Sequence, residues 1–167
     1  MTMNRDAKIF THLWYATEAE EAARFYASIF PDSHVDAVTT LPSDSPSGPA
    51  GAAAIVDFTL FGQRFQALKA GPHHEFNDAM SLVVMCDDQE ELDRYWAALL
   101  ADGGREQACG WLTDRFGVRW QIVPRAVDDL LRTGEPAGVK RMSDALLQMV
   151  KLDLAALQAA YDGGEGA

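Results

Sequence analysis

Two rhythms of hydrophobic positions alternate along the chain. Ile9 to Ala16 is apolar and β-prone and predicts a strand. From Glu18 to Phe30 the spacing becomes helical, with Ala19, Ala22, Ala23, Tyr26, Ile29 and Phe30 on one face. Thr17 is placed to cap that helix, with Glu20 completing a capping box, and Pro31-Asp32 ends it. Ser33 to Thr40 reads as a short strand, and Leu41 to Gly51, with Pro42, Pro46 and Pro49, as a loop. Ala53–Leu60 and Arg64–Lys69 predict a hairpin turning at Phe61-Gly62-Gln63.

After a connector over Gly71–Asp78, the same kinds of element return. Ser81–Cys86 predicts a strand and Gln89–Leu100 a helix, stopped at Asp102-Gly103-Gly104. Short strands follow over Glu106–Cys109, Trp111–Asp114 and Val118–Val123, and Pro124 closes the sheet. The tail from Val127 predicts helix, with Val139, Met142, Leu146, Met149 and Val150 along one face, and Gly163–Ala167 is expected to fray.

The order β-α-β-β-β therefore occurs twice, and the residues repeat as well as the pattern. Glu21-Ala22-Ala23-Arg24-Phe25-Tyr26-Ala27 matches Glu91-Leu92-Asp93-Arg94-Tyr95-Trp96-Ala97. Phe61-Gly62-Gln63-Arg64-Phe65-Gln66 matches Phe116-Gly117-Val118-Arg119-Trp120-Gln121. The first pair is offset by about 70 residues and the second by about 55. The 41–51 insertion and longer hairpins in the first half absorb most of the difference. The predicted architecture is α+β: a first βαβββ module over 7–70, a second over 79–124, and a helical extension over 125–162. The extension is expected to pack on its own domain or on a dimer partner.

A module of this kind packs one sheet face on its helix and leaves the other bare. Two such sheets are expected to be related by a pseudo-twofold and to leave a trough between them. Alternation along the strand puts Gln66 and Gln121 at equivalent trough-facing positions, with Arg64 and Arg119 on the same face. Phe65 and Trp120 then point to the helices, toward Phe25 or Tyr26 and toward Tyr95 or Trp96. A glutamine on a central strand needs polar partners if buried, so the pair is a candidate cavity lining.

Charge narrows the partners. The formal net charge is −11, which repels nucleic-acid phosphates and anionic membranes. The N-terminal MTMNRDAKIF carries no signal-peptide apolar stretch, and no run approaches a membrane span. Cys86 and Cys109, the two cysteines, have no zinc-type spacing, which fits a reducing, cytoplasmic setting. There is no G-x-G-x-x-G, P-loop or G-x-S-x-G motif. Gly71-Pro72-His73-His74-Glu75 lacks H-E-x-x-H spacing and reads as a solvated turn. Asp114 is placed to set the turn before Phe116-Gly117.

Several stretches carry a family likeness. His12-Leu13-Trp14-Tyr15, Glu20-Glu21-Ala22, Phe25-Tyr26 and Phe30-Pro31 resemble the PhnB-like branch of the vicinal-oxygen-chelate superfamily, as does Phe76-Asn77-Asp78-Ala79-Met80-Ser81. The most specific stretch runs from Cys109-Gly110-Trp111 through Asp114-Arg115-Phe116-Gly117 to Trp120-Gln121-Ile122-Val123-Pro124. The tail from Met142 to Leu157 is similar to that branch too. The branch is often described as 3-demethylubiquinone-9 3-methyltransferase. Its superfamily includes glyoxalase I, extradiol dioxygenases and antibiotic-resistance proteins, in which a divalent ion polarises neighbouring substrate oxygens.

The resemblance implies metal ligands on the first and fourth strands of each module. His12 is the plausible ligand, but its repeat partner falls at Leu82 or Ser81, and Gln66 and Gln121 stand where carboxylates are expected. One imidazole and two amides are a weak set for a divalent ion. No cofactor is expected, beyond a weakly held divalent metal at His12. The ligand-binding candidates are His12, Gln66, Ser81, Cys109, Trp111 and Gln121. The reading is a small-molecule-binding protein, as a homodimer, with its ligand in the trough. The alternatives are a metal-dependent lyase, isomerase or dioxygenase, and, ranked last, a methyltransferase.

Overall fold

A computed structural model describes residues 8–164 and divides between Glu75 and Phe76 into two compact units. The first contains β1 (Thr11–Tyr15), α1 (Ala19–Ile29), β2 (His34–Thr40), β3 (Ala54–Leu60) and β4 (Gln63–Lys69). The second contains β5 (Leu82–Cys86), α2 (Gln89–Leu100), β6 (Arg105–Glu106), β7 (Trp111–Thr113) and β8 (Arg119–Pro124). It continues through α3 (Arg125–Thr133), α4 (Pro136–Leu146) and α5 (Leu154–Asp162).

The two sheets have the same topology. Their strand orders are β1-β4-β3-β2 and β5-β8-β7-β6, each with one parallel pair between the first and last strands of its module. The expected pair of βαβββ modules is present. Its start at residue 7 and the end of the fraying segment, 165–167, lie outside the described residues.

Strand alternation divides each sheet into a helix face and a far face. In the first unit Leu13, Tyr15, Val56, Phe58, Phe65 and Ala67 are buried, and α1 adds Ala19, Ala22, Ala23 and Tyr26. In the second, α2 supplies Leu92, Tyr95, Trp96 and Leu99 above Val84, Leu112, Trp120 and Ile122. The two cores divide volume differently. The alanines of α1 leave room for the stacked Phe58 and Phe65 rings, 5.4 Å apart, whereas the large side chains of α2 need less from the sheet.

Some local expectations change. Thr17 and Glu20 form no capping box. The N-cap of α1 is Glu18, whose Oε2 turns back to accept from the Thr17 N–H at 2.9 Å. This bond holds the Glu18 carboxyl below its usual pKa. In α2 the cap is Asp88, accepting from Glu91 N. The strand expected over Glu106–Cys109 is only β6, because Cys109 and Gly110 both take positive φ and turn the chain. A Cβ at Gly110 would meet the Leu152 side chain at 3.0 Å, so this turn needs glycine for space as well as for φ.

The tail stripe is also interrupted. Helix α4 ends at Leu146, with Met149 and Val150 beyond it. Their carbonyls accept from the N–H groups of Cys109 and Gly110, each at 2.8 Å. Gln89 on α2 donates to Leu152 O and accepts from Leu154 N. Lys151 pairs with Asp93 at 2.7 Å. The tail is thereby fixed to its own unit, and the Cys-Gly-Trp segment is its backbone docking point.

The two hairpin registers differ by one residue. Thr59 pairs with Arg64 across the first hairpin, and Thr113 pairs with Arg119 across the second, whose loop is one residue longer. Asp114 holds that longer loop. Its Oδ1 accepts from Phe116 N at 2.9 Å and Val118 N at 3.0 Å, and its Oδ2 from Trp120 Nε1 at 2.8 Å. The residue is 3% exposed, so removing the carboxylate leaves three enclosed donors unsatisfied. Asp114→Ala is expected to cost about 3 kcal/mol in urea unfolding, with the slope unchanged. A loss below about 0.5 kcal/mol would contradict this role.

Candidate functional site

On the far face of the first sheet, the parallel β1–β4 register sets His12 beside Gln66, and the antiparallel β3–β4 register sets Asp57 on the other side of Gln66. The three side chains form a hydrogen-bonded row. His12 Nδ1 lies 2.9 Å from Gln66 Oε1, and Gln66 Nε2 donates to Asp57 Oδ1 at 3.1 Å. Arg64 pairs with the same Asp57 oxygen at 3.0 Å, and its guanidinium lies 3.9 Å from the centre of the Phe10 ring. His12 is exposed, while Arg64, Gln66 and Asp57 are half-buried. The polar strip continues at the β2 edge. There Thr59 Oγ1 donates to Asp36 Oδ2 at 2.9 Å, and His34 Nε2 stands at ion-pair distance, 3.1 Å, from Asp36 Oδ1.

Trp14, two residues from His12 on the same face, donates Nε1 to Gly71 O at 2.9 Å. His73 and His74 approach its ring edge-on, at 6.2 and 4.9 Å between centroids. The expected turn at Gly71–Glu75 thus folds back against the first strand.

The second sheet uses the equivalent positions differently. Gln121 stands opposite Val83 and Trp111, where Gln66 stands opposite His12 and Asp57. The repeat partner of His12 is therefore Val83, not Leu82 or Ser81. Leu82 faces Trp120 across the ladder, and Ser81 precedes the strand. Gln121 Nε2 donates to Ser81 Oγ at 2.8 Å, and Arg119 pairs with Asp78 at 2.8 Å. That bond holds the Asp78 carboxyl below its usual pKa. Both polar side chains of β8 are spent on the 76–81 segment that leads into β5.

Of the sequence candidates, His12 and Gln66 come together on one sheet, and Ser81, Trp111 and Gln121 on the other. Cys109 lies in the tail-docking turn with a free, partly exposed thiol. Asp57 was missed. Its alignment, Asp57-Phe58-Thr59 with Trp111-Leu112-Thr113, needs one extra loop residue that only the hairpin registers reveal. Among the described residues there is no group of three or more His, Cys, Asp or Glu side chains arranged to hold a metal. No helix among them is long and apolar enough to cross a membrane.

Paired βαβββ modules with this strand order are the fold of the glyoxalase-like, vicinal-oxygen-chelate proteins. The fosfomycin resistance protein FosX of Listeria monocytogenes shows the same fold at 13% identity and a TM-score of 0.53, over 77% of this chain and 99% of its own. More specifically, the chain belongs to the family described as 3-demethylubiquinone-9 3-methyltransferase, whose model matches residues 7–123. A PhnB protein of Bacillus cereus, provisionally given that same description, is 32% identical, with a TM-score of 0.61, covering 70% of this chain and 98% of its own. A protein from Pseudomonas aeruginosa is 26% identical, with a TM-score of 0.55, over 70% and 96% of the two chains. Among curated proteins no relative matches.

The other thiol, Cys86, is fully buried at the end of β5. Burial, with Glu91 and Asp87 nearby, pushes it from 9.0 up to about 12. A folded-state value above the unfolded one means that the folded protein retains a proton the unfolded chain loses. Its contribution to stability is therefore full below pH 9.0 and falls as pH rises from there toward about 12. Cys86→Ala should flatten the decline in urea stability over this alkaline window. An identical decline in both proteins would show that Cys86 does not cause it.

Proposed function

We propose that the chain is a small-molecule-binding protein that holds its ligand against the polar strip of the first module, with His12 and Gln66 as the contacts. The observation that carries this reading is the asymmetry between two otherwise equivalent strands. Arg119 and Gln121 are committed to Asp78 and Ser81, whereas the first module ends its row at an exposed imidazole. An exposed polar end beside half-buried partners offers hydrogen bonds to an incoming molecule without first breaking the row. Ser81, Trp111 and Gln121 then act chiefly as structure for their own module.

The donor set does not fit a resident divalent ion. Gln66 Oε1 already faces His12 Nδ1, and Asp57 Oδ1 is shared by Gln66 and Arg64. A guanidinium 3.0 Å from the only carboxylate in the row opposes a cation there. The methyltransferase wording of the family description finds no nucleotide-binding glycine loop in this sequence to support it. Free Cys86 and Cys109 suit a reducing, cytoplasmic setting. Leu147 and Val150, 62% and 45% exposed beyond α4, support a homodimer, checked by light scattering at micromolar concentration. A dimeric mass is expected, and a monomeric one would contradict it.

The binding reading is tested on protein purified without a polyhistidine tag, by native mass spectrometry for carried small molecules and by elemental analysis. Gln66→Leu should keep the fold and reduce carried ligand about tenfold, the loss of one or two hydrogen bonds. Gln121→Leu should leave binding within about twofold and instead loosen residues 76–81 in hydrogen exchange. Near-stoichiometric zinc, nickel, iron or manganese that disappears in His12→Ala would overturn the reading in favour of a metalloenzyme.

A further inference from the structure

We infer that the Asp57–Gln66 pair presets the tautomer of His12, leaving its Nε2 as a proton acceptor for a ligand that presents a hydroxyl or enol O–H. The row is fixed at its Asp57 end. Arg64 can only donate, and its guanidinium lies 3.0 Å from Asp57 Oδ1. An ionised carboxylate can only accept, so the group Gln66 turns toward it must be the amide NH2, as the 3.1 Å contact has it. That choice leaves Gln66 no freedom at its other end. Its carbonyl Oε1 faces His12 Nδ1 at 2.9 Å and can only accept, so Nδ1 carries the hydrogen.

In the neutral ring the lone pair then resides on Nε2. This is the less common arrangement for a histidine in water, where the Nε2–H form prevails. The tautomer is thus imposed by three residues on two neighbouring strands and not by the imidazole itself. His12 is exposed, so Nε2 is the open end of the row.

A ligand O–H donates to this nitrogen. If the hydroxyl is acidic enough, its proton moves to Nε2 and leaves an oxyanion on the ligand and an imidazolium still bonded through Nδ1–H to Gln66. No other bond forms or breaks. In this proton transfer Asp57 and Gln66 act as positioning residues, through His12. The inference gives the site of the proposed function a ligand class. The tautomer itself exists without ligand, so it can fail independently of binding.

The experiment is two-dimensional 15N–1H correlation of the imidazole rings in the unliganded protein at about pH 8, above the usual histidine range. His12 is assigned from the resonance lost in His12→Ala. The wild type should show a pyrrole-like Nδ1 and a pyridine-like Nε2. Gln66→Leu should shift the ring toward the Nε2–H form, and Asp57→Leu should do the same by freeing the Gln66 amide to turn. Asp57→Asn should retain the wild-type pattern, because its carbonyl still accepts from Arg64 and Gln66. A pyridine-like Nδ1 in the wild type would overturn the inference. An Asp57→Leu spectrum identical to wild type would overturn the role of Asp57.

Discussion

The parallel pairing of the first and last strands within each module is the constraint on which the rest depends. It fixes which residue stands beside each β4 or β8 glutamine, and the pleat then decides which face that pair occupies. A slip of one residue in β1 would send His12 to the helix side and Leu13 to the far side. The buried Leu13 and Tyr15 oppose that slip, because both would leave the core together. The hydrophobic pattern of the first strand therefore positions the polar row, although none of its apolar residues belongs to that row.

From this shared frame the two modules diverge by a few side chains. Asp57 and His12 flank Gln66, and Trp111 and Val83 flank Gln121. The first set makes a charged, hydrogen-bonded row. The second leaves the glutamine to seek Ser81, and Arg119 to seek Asp78, so the polar strip becomes an anchor for the incoming chain. The two faces stand on equivalent strands, and the residues at two flanking positions give their glutamines different partners.

Much of this was legible in the sequence. The doubled Glu-x-x-Arg-aromatic helix and the doubled Phe-Gly-x-Arg-aromatic-Gln hairpin revealed both modules, because repeats report on packing that must be satisfied twice. Gln66 and His12 were readable as candidates, and their contact follows from strand pairing. Asp57 was not, because a lone aspartate between Val56 and Phe58 gives no signal until the hairpin register is known. The tail is helical as expected, but the break after Leu146 was not legible, for a related reason. Met149 and Val150 continue the helical spacing of α4, yet the chain turns out of the helix after Leu146, and hydrogen bonds from Cys109 and Gly110 hold their carbonyls. Tertiary pairing overrode a local periodicity that was real in the sequence.

On the proposed reading, the two equivalent faces bind ligand unequally. Its most direct test is a fragment screen on isotope-labelled protein, mapping backbone and side-chain shifts as small hydroxylated compounds are added. Shifts are expected to concentrate at His12, Asp57 and Gln66, with Val83, Trp111 and Gln121 nearly unmoved. Shifts centred on Val83, Trp111 and Gln121, with the first row unchanged, would contradict it.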